Sequence, residues 1–242
     1  MDDRFTLTIT RDPAQVRAAQ ALRHAVFVEE LGGASPGPEG LEADAYDSRC
    51  DHLILTDRTR PDLGVVATLR LGYGAAYTET EFDLSKVRAT GRLLAEPGRT
   101  CLHPDYRGGP TGMLLFRGML DHLRRQGIGF LVGTASFHGA DPAQHLPALR
   151  RLRQEALAPD PLRPVARGAG ALTISGTAER GAMRQVPSLI KTYLRAGAWI
   201  GDGAWIDHAF NTVDVCVLLD MNRLRLPPDR RADLWQAARL DA

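Results

Sequence analysis

Glu96-Pro97-Gly98-Arg99-Thr100-Cys101-Leu102-His103-Pro104-Asp105-Tyr106-Arg107-Gly108-Gly109, continued by Pro110-Thr111-Gly112, decides how this chain folds. Its first half has the character of a strand end, and its second half is a glycine-rich turn. The turn opens onto residues 113–125, which repeat apolar positions at helical spacing. A strand–turn–helix of this kind aims unpaired backbone N–H groups and the positive end of a helix at one point, a setting that suits a phosphate. Arg107, Gly108, Gly109 and Gly112 are therefore candidate phosphate-binding residues. The plain alternative is an ordinary turn with a helix start.

Upstream, residues 6–10 alternate as a strand, and Asp12-Pro13 starts a helix with Asp12 as N-cap and Pro13 in the first turn. Val16, Ala19, Leu22, Val26 and Phe27 carry its apolar face, and Gly32-Gly33 ends it. Residues 52–56 and 65–71 form a hairpin around Pro61-Asp62-Leu63-Gly64. Phe82-Asp83-Leu84-Ser85 is expected to be a short turn, and a strand is expected over 93–102. Downstream come a buried strand at 130–135, a helix from Asp141-Pro142 to about Glu155, a helix from Pro187 to Ala196 closed by Gly197, and a strand pair at 199–207 and 213–219. Residues 158–182, rich in Pro, Gly, Ala and Arg, are expected to be an insertion with one short strand at 172–175. A tail helix is expected over 228–240. Hairpins mixed with helical crossovers predict an α/β (α+β) fold, with a mixed central sheet flanked by helices, in one domain over 1–242.

The 242 residues carry a net charge of +1, which gives no global case for nucleic acid or an anionic membrane. Of the 30 basic residues only Lys86 and Lys191 are lysine; a GC-rich genome accounts for such a bias as readily as bidentate anion binding does. Cys50, Cys101 and Cys216 are odd in number and match no metal spacing, so free thiols in a reducing compartment are expected. The N-terminus has no apolar leader and the chain no run of about 18 apolar residues. The expected location is cytoplasmic, with room for a peripheral position on the inner membrane.

With this element order and motif, the chain resembles the GNAT superfamily of N-acyltransferases. Within it, it is similar to the acyl-carrier-protein-dependent branch that includes ornithine N-acyltransferases of ornithine-lipid synthesis. The resemblance runs from about Leu22 to Leu219. It is carried by Leu22-Arg23-His24-Ala25-Val26-Phe27-Val28-Glu29-Glu30, Asp47-Ser48-Arg49-Cys50-Asp51-His52-Leu53, Glu81-Phe82-Asp83-Leu84-Ser85, residues 98–109, Ala135-Ser136-Phe137-His138-Gly139-Ala140-Asp141-Pro142, Leu189-Ile190-Lys191-Thr192-Tyr193-Leu194-Arg195 and Phe210-Asn211-Thr212-Val213-Asp214-Val215. A fainter similarity is to acyl-homoserine-lactone synthases, whose charged positions Arg23, Glu42, Asp44, Asp47, Arg70, Glu96 and Arg99 could occupy here. Pro110 stands where the superfamily's acyl-donor signature has a glycine, and proline lacks the N–H that a cradle uses.

The resemblance implies attack of an amine on an acyl thioester. Such an amine reacts only as the free base, so a proton acceptor is needed, with a donor for the oxyanion. Glu96 is the candidate base, directly or through water, with Arg99 as its charged companion. The bland alternative is a carboxylate that only pairs with Arg99 or orients substrate. Cys101 is read as a buried thiol rather than a nucleophile, and His103-Pro104 as turn-shaping. Asp44 and Asp47, with Glu42 and Asp51, either bind the cationic end of an amino acid or form a solvated acidic loop. Arg23 and Arg70 either hold its carboxylate or neutralise those acids. The basic positions Arg117, Arg124, Arg125, Arg150, Arg151 and Arg153 either dock an acidic carrier protein or are solvated helix surface. No metal and no resident cofactor is assigned.

The resulting expectation is transfer of a long, 3-hydroxylated acyl chain from acyl carrier protein, a phosphopantetheine-linked co-substrate, to the α-amine of ornithine. The hydroxylated chain and ornithine come from the resemblance alone. The rivals are a sister enzyme for glutamine or glycine, an acyl-homoserine-lactone synthase, a coenzyme A-dependent acetyltransferase and a non-catalytic acyl-ligand sensor.

Overall fold

The computed structural model describes residues 4–225. In chain order its first elements are β1 (Phe5–Thr10), α1 (Pro13–Arg23), β2 (Asp51–Asp57), β3 (Val65–Tyr73), α2 (Thr78–Glu81), β4 (Phe82–Asp83) and α3 (Ser85–Arg88). There follow β5 (Leu94–Leu102), α4 (Thr111–Arg125), β6 (Phe130–His138), α5 (Leu146–Ala156), β7 (Val165–Ala166) and β8 (Ala171–Leu172). The last are α6 (Ser188–Arg195), β9 (Trp199–Ile200), β10 (Ala204–Asp207) and β11 (Thr212–Asp220). They group into two compact units, one of residues 4–73 and 97–127, the other of residues 74–96 and 128–225.

In the first unit β1, β2 and β3 are antiparallel neighbours, and residues 97–102 of β5 run beside β3. Asp12 caps α1 by accepting from the Gln15 N–H at 2.9 Å, and Pro13 occupies the first turn. The helix does not stop at Arg23. It continues over His24–Glu30 in π-helical form, an expansion commonest at functional sites. Gly32 then takes φ 73° and ends it, as its position predicts. α1 and α4 pack on β2 and β3. Ala19, Leu22 and Val26 bury against Ile54, Val65 and Cys101, so the predicted helical stripe is the core face.

In the second unit β5 pairs in parallel with β6 at Leu94↔Phe130 and Ala95↔Leu131. β6–β11, β11–β10 and β10–β8 are antiparallel. Parallel and antiparallel pairs in one sheet, with α2 on β6 and α6 on β11, bear out the mixed α/β fold class. Leu94, Phe130, Val132, Cys216 and Leu218 share a core with Ala75, Phe82, Leu84 and Val87.

Some local expectations need correction. The strand at 199–207 is broken into β9 and β10. Gly201 donates to the Cys216 carbonyl and Asp202 to the Pro164 carbonyl, both at 2.8 Å, and Gly203 turns with φ 84°. The Phe82–Ser85 turn is the short strand β4, paired with β7, leading into α3. Asp141 caps a 3₁₀ turn, Pro142–Gln144, before α5 begins. Residues 158–182 hold β7 and β8, and the strand expected at 172–175 lies at Ala171–Leu172. The helix expected over 228–240 lies outside the described residues. No helix among the described residues is long and apolar enough to cross a membrane.

Candidate active site

In the first unit the chain assembles the predicted acceptor residues into one buried ionic network. The Arg23 guanidinium donates from Nε to Glu42 Oε2 at 2.5 Å and from Nη1 to Asp47 Oδ1 at 2.9 Å. Arg70 Nη1 reaches Asp44 Oδ1 at 2.5 Å and Asp47 Oδ1 at 2.9 Å. Arg99 completes the set, with Nε to Glu42 Oε1 at 3.1 Å and Nη2 to Asp44 Oδ2 at 3.0 Å. Arg23, Arg70 and Arg99 thus match Glu42, Asp44 and Asp47 one for one. Arg23 and Glu42 are sealed off, whereas the Arg99 and Asp44 side chains keep 12% and 13% of their exposure and form the accessible edge.

Of the two alternatives for the acids, the solvated loop is excluded. The arginines neutralise them, whatever else they do. Burial works against the Asp47 charge, but hydrogen bonds from Arg23, Arg70 and Gln20 outweigh it and hold the carboxyl well below the usual carboxylate range. Asp51 is not part of this set. It accepts from Arg11 and from the Tyr73 hydroxyl, each at 2.5 Å.

Arg99 reaches the network because its backbone is irregular. It takes φ 49°, a left-handed conformation that costs a non-glycine residue about 1 kcal/mol or more, in the middle of β5 and directly after Gly98. The sequence hint was Pro97-Gly98, which breaks a regular strand. The structure joins Arg99 to the predicted acceptor residues, a grouping that sequence spacing did not give.

In the second unit Glu96 follows the last parallel β5–β6 pair by one residue. Its carboxylate accepts from the Tyr77 N–H at 3.1 Å, and from the Thr78 N–H and Thr78 hydroxyl at 2.5 Å each. A carboxylate has about four lone-pair positions. These donors fill three, two on Oε1 and one on Oε2, and fix the group at the start of α2. Tyr77 and Thr78 escaped sequence analysis because a four-residue helix has no periodic pattern.

The glycine-rich turn lies in the first unit. Gly108 has φ 74°, and Pro110 precedes α4. The first intrahelical hydrogen bond runs from Leu114 N–H to the Pro110 carbonyl at 2.9 Å, so the N–H groups of Thr111, Gly112 and Met113 precede it and point out of the helix start. Gly109 and Gly112 line that end. Arg107 is engaged elsewhere, with both terminal nitrogens on Glu30 at 2.6 and 2.7 Å and Nε on the Leu102 carbonyl at 3.3 Å. Glu30 therefore already holds that guanidinium. His103 shapes the turn, its Nδ1 accepting from the Asp105 N–H at 3.3 Å. Cys101 is buried, and burial pushes its thiol up to about 12.

Comparison with known proteins places the chain among acyltransferases by similarity. A family model described as an acetyltransferase (GNAT) domain matches residues 22–117. An L-ornithine N(alpha)-acyltransferase of Rhodobacter capsulatus is 43% identical over 232 residues, covering 89% of this chain and 90% of the relative. One of Brucella abortus is 36% identical over 231 residues, covering 87% and 82%. Among solved structures, an N-acyl amino acid synthase from uncultured soil microbes superposes with a TM-score of 0.51 at 11% identity, covering 90% of this chain and 93% of that one. The AHL synthase LasI gives 0.51 at 13% identity, covering 93% and 98%. At these identities the two structures speak for the fold alone.

Proposed function

This chain belongs to the family of L-ornithine N(alpha)-acyltransferases, GNAT-domain proteins, and from that premise we propose that it moves a long acyl chain from acyl carrier protein onto the α-amine of L-ornithine. The product is a lyso-ornithine lipid. The observation that carries this conclusion is the 43% identity spread over 89% of the chain and 90% of the relative.

The chemistry follows from the residues. The α-ammonium loses a proton to Glu96, directly or through water, on the lone-pair position its three donors leave open. The amine nitrogen forms a bond to the thioester carbonyl carbon, the C–S bond breaks, and the pantetheine thiolate leaves and takes up a proton. Arg107, Gly108, Gly109 and Gly112, with the N–H groups at the start of α4, take the donor's phosphate. Arg99 and Asp44, at the edge of the ionic network, meet the acceptor, and Arg23, Asp47 and Arg70 hold them in place. Of the basic side chains that would meet an acidic carrier, Arg124 of α4 already pairs with Asp121, and on α5 Arg151 and Arg153 pair with Glu155 and Asp202, so the carrier as donor rests on the family and not on these arginines. The enzyme works in the cytoplasm and touches the inner membrane peripherally to release its lipid.

The test is purified protein with 3-hydroxyacyl carrier protein, or the matching coenzyme A thioester, and a panel of amino acids, read by mass spectrometry. N-acyl-ornithine formed faster from the carrier protein is the expected result. Acylation of another amino acid, or none at all, would refute the proposal.

A further inference from the structure

A second acidic group lies wholly within the unit of residues 74–96 and 128–225. Glu81 ends α2, Asp207 ends β10 and Asp214 lies near the start of β11. Each offers a carboxylate oxygen, and these oxygens all lie within 4.8 Å of one another. The three residues are only 2%, 6% and 3% exposed. Strand register explains the meeting. Asp207 stands opposite Thr212, and directly opposed residues of an antiparallel pair share a face, so Asp207, Thr212 and Asp214 project together. Thr212 is 4% exposed, and its hydroxyl, on this face beside the acids, has no hydrogen-bond partner among the described residues. A buried hydroxyl left so marks a place where a polar group is received.

The same face carries the candidate base. Ser136 stands opposite Asp214 and Thr134 opposite Cys216, and both are only half-buried, which leaves a polar approach. Leu94 pairs with Phe130, and alternation along β5 and β6 puts Glu96 on the side of Phe130, Thr134 and Ser136. Glu96 holds the start of α2, and Glu81 lies three residues beyond Thr78, a rise of ~4.5 Å along the helix. The Cys216 thiol registers both acids. Burial first, and then the charges of Glu81 and Glu96, push it well up.

Carboxylates this close cannot all be ionised without a cation or a shared proton. A diamino-acid acceptor brings two ammonium groups, of which one reacts and the other must be held. An alkylammonium offers three N–H donors and no acceptor, the complement of three carboxylate oxygens. We infer that Glu81, Asp207 and Asp214, with Thr212 beside them, receive the side-chain ammonium of the acceptor and select a diamino acid over one with a neutral side chain. This rests on the acyl-transfer function proposed above.

The experiment compares ornithine with norvaline, the same carbon skeleton without the terminal amine, as acceptors at a fixed acyl donor. Wild type should favour ornithine in kcat/KM by about tenfold or more, the scale of a lost charge-assisted contact. In Asp214→Asn and in Glu81→Gln that ratio should fall toward one, mainly through the KM for ornithine. An equal loss on both acceptors would mark a packing role and overturn the inference. So would a wild-type ratio near one, whether or not the variants fold. A stoichiometric divalent metal in purified wild type, absent from Asp214→Asn, would overturn it in favour of a metal site. If neither acceptor is acylated, the reaction itself is refuted. Calorimetric titration of wild type with ornithine and norvaline then decides the site alone, with equal or absent binding counting against it.

Discussion

At the scale of single residues, Glu96 and Cys101 stand in opposite settings, one a half-buried carboxylate with an open position and the other a buried thiol. Glu96 holds three donors and one open position. Glu96→Gln keeps an oxygen for the Thr78 contacts but cannot take a proton, so acyl transfer should fall by ~10²–10⁴-fold with the circular dichroism spectrum unchanged. Turnover within a few fold of wild type would remove Glu96 as the base. Cys101 lies on a buried strand with its thiol pushed up to about 12, leaving almost no thiolate at neutral pH. Cys101→Ala should therefore turn over at close to the wild-type rate, and rapidly quenched wild type should show no acyl adduct by intact mass. Both proposals start from the sequence. The Arg99 grouping does not, because it depends on one left-handed residue, and a φ value is not written in a residue name.

Elements show where pattern suffices and where it fails. α1, α4 and α6 could be placed from apolar spacing and end signals: Asp12-Pro13, Gly108-Gly109 and Gly197 all do what their chemistry dictates. Gly197 offers a direct check. It has φ 100°, and a Cβ there would lie 2.8 Å from the Arg223 carbonyl oxygen. Gly197→Ala should cost about 1–3 kcal/mol, read as a lower urea midpoint at unchanged slope. α2 and the π-helical stretch after α1 could not be foreseen. One is too short for a period, and the other keeps helical composition while changing only its hydrogen-bond pattern. Glu81 and Asp214 lay inside segments that carried the family resemblance and Asp207 lay outside them, and nothing in their spacing showed that register would gather the three.

For the whole molecule, the buried ionic network sets the response to acid. Arg23 and Arg70 depress the Asp47 carboxyl below its unfolded value of about 3.9. A depressed acid contributes stability that is complete above the unfolded value and is lost as pH falls through the folded one, because there the unfolded chain binds the extra proton. Unfolding free energy from urea titrations should thus decline below about pH 4. In Asp47→Asn this part of the decline should disappear, while stability at neutral pH drops by about 3–5 kcal/mol as two buried arginines lose a partner. A variant that tracks wild type through the acid range would contradict this. A different consequence follows from how the backbone is shared out. It crosses from one unit to the other after Tyr73, after Glu96 and after Gly127. No single cut in the gene frees either half, and any contiguous deletion long enough to remove one takes part of the other with it. Synthesis from the N-terminus lays down residues 74–96 of one unit before residues 97–127 complete the other, and the interrupted unit waits for the strands up to β11, so a stalled or prematurely terminated product should be degraded rather than persist as a working fragment.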